Sequence, residues 1–235
     1  METLHRFLST KIKDSKIVAN DQNLIPIVNK EVDRLGYDAD LNHIDVSNVT
    51  DFSGLFSRLR KFNCDVSRWN MENAKDTHNM FYKCEKFNCD ISDWSLESVE
   101  DCGSMFYMCE SLEYAPKLPK THLNKEIYYC MFHECSSLKY APELPATELK
   151  SYCYYSMFNG CISLEYAPDL PAKNIEWYCY CLMFNRCKNL KKLPKMDFKI
   201  DKSKLAYSSI ADMFSDTSPK LEKEFKKKLD LSINL

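Results

Sequence analysis

The sequence predicts an α/β repeat solenoid, each repeat a short strand followed by a turn of helix, with a helical cap at either end. Three observations carry this. A Met-Phe pair, or Leu-Phe in its place, recurs at Leu55-Phe56, Met80-Phe81, Met105-Phe106, Met131-Phe132, Met157-Phe158, Met183-Phe184 and Met213-Phe214, at steps of 25, 25, 26, 26, 26 and 30 residues. So regular a step marks one unit copied along an axis. Five cysteines, Cys84, Cys109, Cys135, Cys161 and Cys187, hold a single place in that unit, three residues after the Phe. Amphipathic segments flank the copies, where a stack must cover its apolar ends.

The first flank is residues 1–40, read as an N-terminal helical cap. A helix is expected over 22–35, with Asp21 as N-cap and Leu24, Ile25, Val28, Val32 and Leu35 on one stripe. Pro26 offers a later start, and Gly36 can close the helix in the left-handed conformation.

The repeats occupy residues 41–217, about seven copies of two kinds. The first kind reads Phe62-Asn63-Cys64-Asp65-Val66-Ser67-Arg68-Trp69 and returns at Phe87–Trp94. Ile44–Thr50 is a related stretch. The second reads Leu112-Glu113-Tyr114-Ala115-Pro116-Lys117-Leu118-Pro119, returns at Leu138–Pro145 and Leu164–Pro171, and is shortened at Leu190–Pro194. Leu112 and Ala115 are expected to point inward, Tyr114 and Pro116 outward. Because Pro116, Pro142, Pro168 and Pro194 cannot donate to a ladder, these strands must be short. Met157, Phe158, Leu149 and Tyr154 fill the space between repeats. Leu59 and Thr217 replace the cysteine in the outer copies, as terminal repeats do. Residues 218–235 form the C-terminal capping helix, with Ser218 as N-cap, Pro219 at the first position, and Leu221, Phe225 and Leu229 on its apolar face.

Asp45–Phe56, Phe87–Trp94 and the Met-Phe-x-x-Cys-x-x-Leu units resemble BspA-like leucine-rich repeats. The resemblance covers about residues 41–217. It implies a leucine-rich-repeat array with a parallel sheet on one face and a non-enzymatic binding role, often on bacterial or protist surfaces. It brings no catalytic residue.

A hydrophobic content of 45% suffices for a core, while 28% charged residues and a net charge of -2 give an ordinary soluble surface. No run of about 18 apolar residues predicts a membrane span. The first residues lack the apolar stretch and cleavage site of a signal peptide. Twelve cysteines sharing repeat positions read as buried free thiols rather than a disulfide framework. A cytoplasmic location follows as an expectation, with secretion or surface display as its alternative.

Catalytic chemistry finds no foothold. Four glycines leave no phosphate-cradling loop, and GxxxxGK[ST], GxSxG and HExxH are absent. His5, His43, His78, His122 and His133 follow no shared pattern with an acid or nucleophile. No CxxC pair exists, and Cys179-Tyr180-Cys181 has no second pair to complete a zinc site. Neither a cofactor nor a metal is expected. Residues 188–235 hold 12 Lys against 7 Asp and Glu, for +5, leaving -7 for the rest. A solvated helix face accounts for Lys226-Lys227-Lys228 more cheaply than a nucleic-acid patch, so nucleic-acid association stands as an alternative only.

Aromatic residues make up 13% of the chain, and most repeat with the core. Trp69 and Trp94 read as corner packing. The outward strand position is different: it reads Tyr114, Tyr140, Tyr166 and Lys192, preceded by Glu113, Lys139, Glu165 and Lys191. At about 4.8 Å between strands these eight form an exposed column beside alternating charges. Stacked tyrosines can stabilise a sheet, and exposed tyrosines can bind a partner. The reading is a monomeric, non-catalytic scaffold for a protein partner, a cytosolic inhibitor or adaptor of bacterial or phage origin. A secreted adhesin is the alternative.

Overall fold

The computed structural model describes residues 16–118, 123–196 and 208–233. Strand β1 (Ile17–Asn20), helix α1 (Leu24–Leu35) and strand β2 (Ile44–Asn48) open the chain. Strands β3 (Glu148–Leu149) and β4 (Asn174–Ile175) and helix α2 (Pro219–Ile233) follow. A further helical segment occupies 208–210. β1 pairs with β2 and β3 with β4, both in parallel.

The expected solenoid of strands and helices, the leucine-rich-repeat array with helical turns on one face, does not form. Among the described residues there are three helical segments and two two-stranded sheets; only the two-residue strands β3 and β4 keep the 26-residue step, and no strand-and-helix unit recurs with it. Two causes are visible. First, the Met-Phe segments cannot be helical, because residues in them have positive φ. Gly54 and Arg58, Asn79 and Lys83, Ser104 and Met108, and Cys130 and Glu134 lie at φ between 51° and 67°, whereas a helix needs φ near −63° at every position. Second, the proline-bounded segments join their neighbours through single parallel bridges, Tyr114 to Tyr140 and Tyr140 to Tyr166.

What forms instead is a series of stacked turns. Within a turn layer, alternate amides close tight turns: Leu55 N–H donates to Phe52 O, Ser57 to Gly54 and Leu59 to Phe56. The amides between them donate to the following layer: Gly54 to His78 O, Phe56 to Met80 O and Arg58 to Tyr82 O. The same pattern continues to Leu182, Phe184 and Arg186, which donate to Ala211, Met213 and Ser215. On the Glu/Tyr stretch the direction reverses. Lys139 N–H donates back to Glu113 O, Glu165 to Lys139 O and Lys191 to Glu165 O.

The core runs through the layers as columns. Phe56, Phe81, Phe106, Phe132, Phe158, Phe184 and Phe214 stack with centroids 5.2–5.7 Å apart. Beside them the repeat cysteines donate their S–H backward, Cys84 to Phe56 O, Cys109 to Phe81 O, Cys135 to Phe106 O, Cys161 to Phe132 O and Cys187 to Phe158 O, at 3.0–3.1 Å. Eleven of the twelve cysteines are buried and Cys89 is half-buried. Trp69 and Trp94 are buried corners whose indole N–H groups reach Leu41 O and Val66 O at 3.1 Å.

Asp21, expected to cap α1, does something else. Its carboxylate accepts from Thr50 N, Asp51 N and Thr50 Oγ1, holding the edge of the first turn layer. Asn23 occupies the cap position, but its Oδ1 accepts from the Asn20 N–H rather than from a helix amide, and Gly36 ends α1 at φ 96° with its N–H on Val32 O. Leu24, Val28 and Val32 are buried in the core, as are Leu221 and Phe225 of α2. The Phe225 ring lies 4.7 Å from that of Phe214. Pro116, expected to face outward, is buried, and Pro142 and Pro168 are half-buried.

Candidate functional site

Tyr114, Tyr140 and Tyr166 lie in one line because each segment pairs with the next at the same residue. Leu112, Leu138 and Leu164 anchor them from two residues upstream, fully buried. The tyrosines themselves are 64, 55 and 42% exposed, high values for so large a side chain on a rigid base.

The preceding position supplies charges in alternation. Lys139 Nζ donates to Glu113 Oε2 at 3.0 Å, and Lys191 bonds Glu165 in the same way. The hydrogen bond to its glutamate is the main cause that raises each lysine's pKa. Exposed pairs like these add little stability. Lys191 Nζ also sits 5.2 Å from the Tyr166 ring centroid. Lys192 is exposed and follows the Tyr column into the next layer. All eight residues singled out in the sequence therefore meet on one strip. In the layers before it the same column holds Cys89, because Glu113 N–H bonds Asn88 Oδ1 and so sets Tyr114 beside Cys89.

A second set of aromatics, on the turn layers, was not read from the sequence. Tyr82, Tyr107 and His133 stack at 4.9 and 4.6 Å, Tyr129 and Tyr155 at 5.1 Å, and Tyr152 and Tyr178 at 5.0 Å. Part of the signal is in the sequence: the residue after the Phe reads Tyr82, Tyr107 and His133 in three successive layers. Tyr129 is exposed and the other rings of these stacks are half-buried. Burial lowers the His133 pKa, and its Nδ1 lies 3.0 Å from Ser156 Oγ.

Burial works against the thiols as nucleophiles. Burial pushes Cys64, Cys130 and Cys181 up to about 11 and Cys153 and Cys179 up to about 12, on the side of the protonated thiol at neutral pH. Among the described residues no three His, Cys, Asp or Glu side chains converge as metal ligands. No described helix is long and apolar enough to cross a membrane. A cleft of about 150 Å³ opens between the last turn layer and α2, lined by Ile210, Met213, Phe225 and Leu229 among others. It is smaller than the roughly 300–1,000 Å³ of small-molecule sites. His5 and His122 lie outside the described residues.

Residues 32–120 match a family described as Mycoplasma protein of unknown function, DUF285. The match takes in Glu113 and Tyr114 and ends before Lys139. Comparison with curated proteins and with solved structures gives no match.

Proposed function

We propose that the chain is a non-catalytic scaffold that holds a protein partner on its tyrosine strip. The observation that carries this reading is the row of Tyr114, Tyr140 and Tyr166, exposed in one line over buried leucines. A tyrosine presents a large amphipathic surface and loses little side-chain entropy on binding. Held by stacked layers, three in register approach a partner without a conformational cost. The motif resemblance to BspA-like repeat proteins supports the same binding role. A cytosolic adaptor or inhibitor fits the buried, protonated thiols.

The test compares wild type with a Tyr114→Ala, Tyr140→Ala, Tyr166→Ala variant in an affinity capture from the native host, read by mass spectrometry. The variant is expected to lose a protein that wild type retains, while melting within a few degrees of it. Retention of every captured protein by the variant would remove the strip as a binding face.

A further inference from the structure

We infer that the partner of the tyrosine strip is a second copy of this chain, docked antiparallel about a two-fold axis that passes between Tyr140 and Tyr166. This rests on the reading of the strip as a protein-binding face and names its occupant.

The charge order carries the inference. Along the axis the exposed position reads Glu113, Lys139, Glu165, Lys191. Reversed, it reads Lys, Glu, Lys, Glu. A two-fold axis at its midpoint therefore sets Glu113 against Lys191 of the second copy, and Lys139 against Glu165. Every charge then has opposite charges beside it in its own chain and across the interface. The same operation brings exposed Glu110 toward exposed Lys188 at a neighbouring position. A parallel arrangement would place like on like throughout. An interface of this kind is isologous and closes at two copies.

The apolar side of the strip obeys the same symmetry. Tyr140 of one copy meets Tyr166 of the other, and Tyr114 meets Lys192. A lysine over a tyrosine ring already occurs on this strip, where Lys191 lies over Tyr166. Ser111, Ser137 and Ser163, partly exposed beside the charged position, leave room for close approach. Past the prolines the complementarity stops: exposed Glu143 would face exposed Asp169, and Lys117 would face Lys195. The docked strip is thus narrow. Four layers span about 14 Å at ~4.8 Å per step, so the narrow strip covers far less than the roughly 800 Å² per partner of a stable complex. The dimer is weak and reversible, and salt loosens it. The full chain is then a monomer when dilute, as its sequence suggests, and a dimer when concentrated.

Sedimentation velocity over a concentration series tests this with three proteins. Wild type is expected to dimerise and to dissociate at high salt. The Glu165→Lys, Lys191→Glu double variant keeps its net charge and both ion pairs within the chain. Its order becomes Glu, Lys, Lys, Glu, which sets like against like, so its dimer dissociation constant should rise about tenfold or more. Adding Glu113→Lys and Lys139→Glu restores an alternating order and should restore the dimer. Because in-chain pairs persist in both variants, folding is not at issue; matching melts confirm it. A wild type that stays monomeric at every concentration overturns the inference. So does a double variant that dimerises like wild type. If wild type is monomeric but the triple Tyr→Ala variant loses a captured host protein, self-docking falls and the binding face stands. If that triple variant dimerises normally and keeps its host protein, both fall.

Discussion

The layers from Asp51 to Asp101 and those from Leu112 to Leu190 share one phenylalanine column and one cysteine column, yet they treat their surfaces in opposite ways. In the first, side chains absorb the polar backbone. Asp51, Asp65, Asp76, Asp90 and Asp101 each accept the amide two residues on, and Trp69 and Trp94 donate to carbonyls of the layer before. Nothing large and apolar is left outside. In the second, proline replaces these devices and tyrosine stands in the solvent. The difference teaches that the core sets the step and leaves the surface free to specialise. Self-satisfied aspartates make a quiet surface, while tyrosines anchored over leucines make one that can bind.

The largest effect should be blind to this division. Phe81→Ala in the first region and Phe158→Ala in the second each empty a place in the shared column, and each should cost about 3–5 kcal/mol in chemical denaturation. A clear inequality between them would show that the column is not a common core.

The next effect should belong to the first region alone. Trp94→Phe leaves Val66 O without its indole donor and vacates part of a buried corner, for about 1–3 kcal/mol. Tyr140→Phe removes only a solvated hydroxyl and should change stability by about 0.5 kcal/mol or less. Equal losses by thermal melting would erase the contrast between the two surfaces.

Acid should separate the regions next. The Ser67 amide, more than any other group, holds the Asp65 carboxyl down at about 2, against 3.8 for a free aspartate. Asp90 is lowered by the Ser92 amide, and Asp21 by the Asp51 and Thr50 amides. A carboxylate with a depressed folded pKa contributes stability that is present above its unfolded value and lost as pH falls through its folded one. The second region has one such carboxylate, Glu176, lowered first by its hydrogen bond from Lys150, so between about pH 4 and pH 2 the turns at Asp65 and Asp90 should loosen before the core around Phe158. Hydrogen exchange at Ser67 and Ser92 should rise across that window while exchange at Phe158 stays slow. Uniform loosening would show that these turns carry no regional weight.

The triple Tyr→Ala variant should also cost little stability, though more than Tyr140→Phe alone. Exposed sites of this kind change stability by about 0.5 kcal/mol or less each. A melt as low as that of Phe158→Ala would place the tyrosines in the core.

The columns were legible because a fixed step makes every residue a neighbour of its own equivalent. Phe158, Cys161 and Tyr140 could be placed from the step alone. Backbone conformation was not legible. Fifteen described residues other than glycine adopt positive φ, among them Lys83, Met108 and Leu182. Apart from Asn79, Asp212 and Asp216, none of these residue types announces a left-handed position. The Met-Phe segments therefore read as helix when they are turns. Asp21 was misread for a related reason: its partners Thr50 and Asp51 are distant in sequence, and a local cap was the nearer explanation. The Tyr82, Tyr107 and His133 stack was overlooked because its column mixes residue types.

The direction of the hydrogen bonds bears on how the molecule is made. A ribosome delivers the layers one at a time, amino end first. On the turn side, each new layer emerges with half its amides aimed at carbonyls not yet synthesised, as Phe56 waits for Met80 and Phe158 for Met183. Its cysteine, by contrast, can bond at once to the layer already in place. The growing end is always a row of expectant donors, and an exposed row of this kind pairs with any extended chain that reaches it. A transcript cut short at any layer would release that row into the cell, whichever layer it was.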